Sequence, residues 1–339
     1  MTQNLEKFPK GSFERITIDP NQAERISKPS VSFWQDAWMR LRKNKGAVLS
    51  LILFLLILIM SFVGPMISPF EPNHQTITHA NLPPKIPALA GLGIFDGHGS
   101  LGGKDVDLYE LKKVDVNYWF GTDGLGRDMF GRIWEGTQVS LFIAFMAALI
   151  DMLIGVLYGG ISGYFGGRID DVMQRIVEIL IGIPNLVIVI LMIMVMDPGI
   201  TAIIIAIAIT GWIGMSRVVR GQVLKYKNQE FVLASRTLGA SHSRIISKHL
   251  LPNVLGIVVI NTMFTIPGAI FFEAFLSFIG LGLQPPDASL GTLINDGYKL
   301  IQYQPHILMF PAALLSIIMI CFNLIGDGLR DALDPKMKD

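Results

Sequence analysis

Six apolar runs divide the chain, at about 46–64, 138–161, 176–196, 199–217, 254–274 and 307–326. A helix needs about 20 apolar residues to cross the hydrocarbon core of a bilayer, with a range of roughly 17–25. Each run is of that order, so the pattern predicts six transmembrane helices and an all-α integral membrane fold. The first run is unbroken, with no charge between Lys45 and Glu71. The second contains Asp151 and the third opens near Glu178. Asp197-Pro198-Gly199 separates the third from the fourth; this turn signal predicts a very short loop outside the membrane.

The polar segments complete the division: an N-terminal segment 1–45, a loop 65–137, a long connection 218–253 inside the core 138–328, and a tail 329–339. Residues 1–30 are charged and lack apolar periodicity, which predicts a mobile segment. From 31 to 43, Trp34, Trp38 and Leu41 recur at helical spacing beside Arg40, Arg42 and Lys43, the pattern of an interfacial helix lying on a membrane surface. The loop 65–137 carries Pro83-Pro84, Pro87 and a Gly-rich run from Gly91 to Gly103, and reads as turns with little core of its own. Because a long polar stretch precedes the first apolar run, that run reads as a retained anchor rather than a cleaved signal peptide.

Charge orients these elements. Of the 339 residues, 51% are hydrophobic and only 16% charged, with mean hydropathy +0.50; soluble domains carry roughly 25% charged residues. Basic residues cluster before the first span (Lys7, Lys10, Arg15, Arg25, Lys28, Arg40, Arg42, Lys43 and Lys45) and between spans four and five (Arg217, Arg220, Lys225, Lys227, Arg236, Arg244 and Lys248). The loop 65–137 is acidic on balance, and the loop 275–306 has one lysine, Lys299. With six spans the two basic regions share a side, so the positive-inside rule places both termini in the cytoplasm. The single cysteine, Cys321, excludes an internal disulfide and reads as a packing residue. The histidines are scattered, and no metal site is expected.

The connection 218–253 is long for a helix-to-helix link, and it is patterned. Phe231, Ala234 and Leu238 form one apolar stripe; Ile245, Ile246 and Leu250 form a second. Gly239-Ala240-Ser241 lies between them, allowing a bend and close approach of another backbone, and Pro252 marks entry into span five. Two short amphipathic helices broken at Gly239 are therefore expected. Their apolar stripe needs a cover, either lipid headgroups or a cytoplasmic protein.

At this segment the chain resembles a known family. Leu233-Ala234-Ser235, Gly239 and His249-Leu250-Leu251-Pro252 are spaced as in the EAA loop of ABC-importer permeases. Trp119-Phe120-Gly121-Thr122-Asp123 with Gly126-Arg127-Asp128 is similar to the signature before span two in the dipeptide/oligopeptide/nickel branch. Glu273 to Gly282 with Pro285-Pro286, and Asn323 to Pro335, resemble its patterns after span five and at the C-terminus. Within the branch, the oligopeptide-permease C-subunit type is the nearest likeness. The resemblance implies a type I ABC-importer transmembrane domain in a bacterial plasma membrane. It implies ATPase coupling through Glu230, Leu233, Ala234, Ser235, Leu238, Gly239, Ala240, His249 and Pro252. Leu233 stands where glutamate is usual and Ser235 where alanine is usual; Glu230 is one turn away. Implied partners are a homologous second permease, two ATP-binding subunits that carry ATP and Mg, an external peptide-binding protein and membrane lipid, with no nucleic acid. The implied cargo is oligopeptide, with dipeptide or a nickel chelate as the alternatives.

The chain itself is expected to be no enzyme, with no catalytic residue and no cofactor. The pattern G-x-x-x-x-G-K-[ST] does not occur; at Gly103-Lys104, His98 stands in place of the first glycine and Asp105 in place of Ser or Thr. An ion-coupled carrier is the rival reading, but it calls for inverted repeats and broken helices, and the chain has no clear internal repeat. Asp151 is a candidate for the pathway or for pairing with a partner subunit, since an intramembrane carboxylate is costly; an interior hydrogen bond to Ser or Thr, or a protonated acid, is the alternative. Glu273, like Glu178, lies near a span end and reads as an interface residue, with a place on the pathway as the alternative for Glu273. Asp123, Arg127 and Asp128, with Arg132, read either as a salt-bridged brace for span two or as a contact for the external binding protein.

Overall fold

The computed structural model describes residues 32–91, 93–101 and 104–333. The segment 1–30, with five of the basic residues counted above, and residues 334–339 lie outside the described residues. Helix α1 (Phe33–Leu41) opens with a capping box, in which Ser32 and Gln35 bond each other's backbone. Trp34 and Trp38 are half-exposed, as an interfacial helix requires, but Leu41 turns inward onto Ala47 and Ala332. Helix α2 (Lys45–Ile67) is the first span, capped by Asn44.

The segment that follows α2 differs from expectation. Its described residues contain a 3-10 turn (Ile77–His79), two single-turn α-helices, α3 (Pro87–Ala90) and α4 (Leu108–Leu111), and an antiparallel hairpin, β1 (His98–Leu101) with β2 (Lys104–Asp107), across the Gly-rich run. It also has a small core of its own: Leu82, Tyr109, Val114 and Tyr118 are buried together, with Phe70 stacked on Tyr118 at 4.4 Å. Short apolar positions spread over 50 residues show no periodicity, which is why the sequence hides this core. Burial pushes the Tyr118 phenol up to about 12 and the Tyr109 phenol higher still. Both remain protonated, and Tyr109 donates to the Pro83 carbonyl at 2.8 Å.

Helix α5 (Met129–Phe165) is longer than the second apolar run. At 1.5 Å per residue it spans about 55 Å, so its ends project beyond a core about 30 Å thick. Gly155, Gly159 and Gly163, four residues apart, let it lie directly on α9; a Cβ at Gly159 would collide with the backbone of Ser216 and Arg220. This is the small-residue contact by which helices approach closely in lipid.

The third apolar run is not one straight helix. It forms α6 (Gly167–Ile181) and α7 (Asn185–Met196), bent by 80°. Pro184 supplies no backbone donor, and it disfavours helical geometry at Ile183. Next come α8 (Ile200–Thr210) and α9 (Trp212–Tyr226), which together make one candidate span. Helices α10 (Glu230–Thr237) and α11 (His242–Ile245) lead through a π-helical turn, Ile246–Leu250, into α12 (Leu251–Phe278). Helices α13 (Leu290–Lys299) and α14 (Pro305–Leu333) complete the described chain. Among the described residues, five helices are long and apolar enough to cross a membrane, or six if the bent pair counts as one span. The main core lies where α2, α5, α12, α13 and α14 meet, around Phe54, Ile133, Ala144, Ile270, Leu290 and Phe322. Cys321 is packed in it.

Candidate functional site: the segment between α9 and α12

Helix α10 is a rigid projection anchored at both ends. Glu230 in its first turn is exposed and complements the helix dipole. After Thr237 the chain turns through Gly239, whose φ of +80° is left-handed, a conformation glycine adopts without steric cost. Ser241 then caps the next helix by accepting from the Arg244 N–H. From His242 the helix runs on through the π-helical turn to Phe278 as one candidate span, with Pro252 in the first turn of α12.

The two apolar stripes separate on folding. Phe231, Leu233, Ala234 and Leu238 stay exposed, Leu238 at 87%. The second stripe needs no outside cover: Ile245 and Leu250 are fully buried against Val219, Val223 and Val254. Val232, on the opposite side of α10 from the exposed stripe, is buried in the same cluster. It is the apolar peg that fixes α10 to the bundle.

Polar contacts fix the remainder. The Tyr164 hydroxyl at the end of α5 meets His242 Nδ1 at 2.8 Å, and the Arg236 guanidinium lies 5.7 Å from the Tyr164 ring centroid. Lys227 Nζ donates to the Gly163 carbonyl at 2.9 Å. The Ser235 hydroxyl donates to the Phe231 carbonyl at 2.8 Å, with His249 Nε2 at 3.5 Å. Arg220 holds Asp170 with two parallel bonds of 2.7 and 2.6 Å, and Ser162 also donates to that carboxylate. Movement of α10 is thus shared with α5, α6, α9 and α12.

The other sequence candidates lie elsewhere. Asp151 is 4% exposed, and its Oδ1 has no hydrogen-bond partner. Gly211, between α8 and α9, leaves the space its carboxylate occupies. Glu273 is not at an interface. It is fully buried inside the chain and accepts from Ser140 at 2.9 Å and Ser277 at 2.8 Å. Ser140 on α5 and Ser277, one turn along α12 itself, draw it in, and the first of these its place near a span end does not disclose. Glu178 is exposed and pairs with Arg175 at 2.8 Å.

On the opposite end of the bundle, Asp123, Arg127, Asp128 and Arg132 form a brace. Asp123 accepts from the backbone of Leu125 and Arg127 and from Arg127 Nε at 2.7 Å. Asp128 caps α5 through the Phe130 and Gly131 N–H groups and accepts from the Ser68 hydroxyl at 2.7 Å. Burial raises its carboxyl above the usual range against the pull of those bonds. Arg132 donates to Asn73 Oδ1 at 2.7 Å. All four side chains are buried, with Arg132 Nε left without a hydrogen-bond partner; of the two readings above, the geometry is that of a brace for α5.

Comparison with known proteins adds to this geometry. The family described as "Binding-protein-dependent transport system inner membrane component" matches residues 152–339, the region that holds the projection and its anchors. The chain belongs to that family. A second family, "N-terminal TM domain of oligopeptide transport permease C", matches residues 32–84. The dipeptide transport system permease protein DppC of Bacillus subtilis is 48% identical over 94% of this chain and 90% of its own length. The oligopeptide transport system permease protein OppC of the same organism is 46% identical over 98% of this chain and all of its own length. Among solved structures, a chain of the MetNI methionine ABC transporter in inward-facing conformations aligns at 23% identity, covering 60% of this chain and 97% of that chain, with TM-score 0.49.

As a family member the chain is a multi-pass membrane permease and a transport subunit. It works in a complex with other transporter subunits. Sequence reading missed Val232, Tyr164 and Lys227 as anchors of the projection. Their signal was weak: one valine among exposed neighbours, and two contacts that join residues more than 60 positions apart.

Proposed function

We propose that the chain forms half of the translocation path of an ATP-driven oligopeptide importer. A homologous second permease completes the path, and an external binding protein delivers the peptide. Two cytoplasmic subunits bind ATP and Mg. The chain lies in a bacterial plasma membrane with both termini and α10 in the cytoplasm, on the charge bias of its loops.

The observation that carries this reading is α10 itself. Helix α10 presents Phe231, Leu233, Ala234 and Leu238 outward while Val232 and Tyr164 tie it to the spans. ATP binding draws the two ATPases together, and each pushes on such a projection. Contacts at Glu230, Leu233, Ala234, Ser235, Leu238 and Ala240 receive the push; Gly239 sets its angle; His249 and Pro252 pass it to α12. The spans then part on the outer side, and release of hydrolysis products resets them.

Near-equal identity to a dipeptide and an oligopeptide permease makes dipeptide the second reading of the cargo. Uptake in a strain lacking this chain decides between them, using labelled pentapeptide, dipeptide and nickel with and without ATP depletion. Loss of ATP-dependent pentapeptide uptake, restored by the chain, is expected. Loss of dipeptide or nickel uptake alone would move the cargo; unchanged uptake of all three would refute the proposal.

A further inference from the structure

A cavity of about 710 Å³ opens at the same end of the bundle as α10. Its walls come from α1, the end of α9, the first turns of α12 and the end of α14. Two basic side chains, Lys225 and Arg330, line it, and among the described residues no acidic one does. Trp34 and Tyr226 stand beside them, and Ile257 and Ile260 form an apolar wall. Helix α1, which contributes Trp34, is the interfacial helix; its neighbouring Trp38 ring carries the Arg42 guanidinium 4.8 Å from its centroid.

We propose that this cavity binds an anionic phospholipid of the inner leaflet. The phosphate sits between Lys225 and Arg330, and an acyl chain runs along Ile257 and Ile260. The chemistry is complementary on each side. Basic pockets between spanning helices on the cytoplasmic side hold anionic headgroups, and Trp and Tyr rings settle at headgroup level. A free phosphate satisfies the cations but leaves the isoleucine wall in contact with water. The site rests on the cytoplasmic placement of this end argued above, but not on the cargo. It also has a consequence. The lipid touches α9 and α12, the two helices that anchor the α10 projection, so it stiffens the base of the lever and makes coupling sensitive to lipid charge.

Native mass spectrometry of the full chain, alone and in the assembled transporter, tests the site. The probes are equimolar phosphatidylglycerol and phosphatidylcholine, with and without excess inorganic phosphate. Wild type should retain phosphatidylglycerol over phosphatidylcholine by about fivefold or more, given two cations at the headgroup. The pair K225Q/R330Q should bring the ratio near unity, whereas K225R/R330K, which keeps both charges, should preserve it. Equal retention in wild type, or an unchanged ratio in K225Q/R330Q, overturns the proposal. Displacement by inorganic phosphate overturns the lipid as the ligand. A preference seen in the lone chain but lost in the transporter shows that a partner subunit fills the cavity, and overturns it as well. Failure of the uptake panel would leave these lipid ratios unchanged, so the two readings fail separately.

Discussion

At the residue scale, two positions decide the most. Gly239 holds a left-handed φ of +80° with open space around it. A valine fits sterically but not conformationally: a non-glycine residue there costs about 1–2 kcal/mol, more for a β-branched one. Gly239→Val should therefore leave insertion intact, tilt α10 against the helix that follows, and abolish peptide uptake. Immunoblotting of membranes beside an uptake assay checks both halves. Asp128 is the second. Its carboxylate caps α5 and accepts from Ser68, and loss of an N-cap costs about 0.5–2 kcal/mol. Asp128→Ala should lower Tm in detergent by several degrees, and Asp128→Asn by less, since an amide oxygen still caps; differential scanning fluorimetry measures both.

At the element scale, α5 and α9 form a joint in which their backbones lie against each other. Gly155, Gly159 and Gly163 allow the backbones to meet. Gly159→Leu has no room beside Ser216 and should reduce the yield of folded, monodisperse protein sharply in size-exclusion chromatography. Gly160→Ala, one residue away, meets only ordinary contacts and should be tolerated. This joint also shows what the sequence discloses. The spans are legible, because lipid imposes length and apolarity on each; the four-residue spacing of Gly155, Gly159 and Gly163, the last beyond the apolar run, was passed over. The break at Gly239 was legible from a glycine set between two apolar stripes. The 80° bend at Pro184 was hidden because hydropathy averages across it. The placement of Glu273 was hidden because its partners, Ser140 and Ser277, come together only when α5 packs on α12. The inward turn of Ile245 and Leu250 had the same cause: an amphipathic stripe shows that a face is covered, not by what.

At the scale of the whole molecule, the two ends of the bundle are built differently. One end bears the folded segment between α2 and α5, pinned to α14, where Phe120 stacks on Phe310 with centroids 4.1 Å apart and Phe95 lies 5.8 Å from Phe310. That segment should move with α14 as the path opens. Phe310→Ala should free it and make it sensitive to protease added outside cells, at a protease concentration that spares the wild type. The other end bears α10, the only part of the basic connection that leaves a large apolar surface exposed while one buried side chain anchors it.

The central claim is that α10 carries the work of ATP into the membrane helices, and Ala234→Asp addresses it most directly. Ala234 is exposed within the outward stripe, so an aspartate there leaves the fold alone and puts a charge where an apolar docking surface is needed. ATP-dependent pentapeptide uptake should fall to background while the variant reaches the membrane at wild-type level. Normal uptake by that variant would contradict the account.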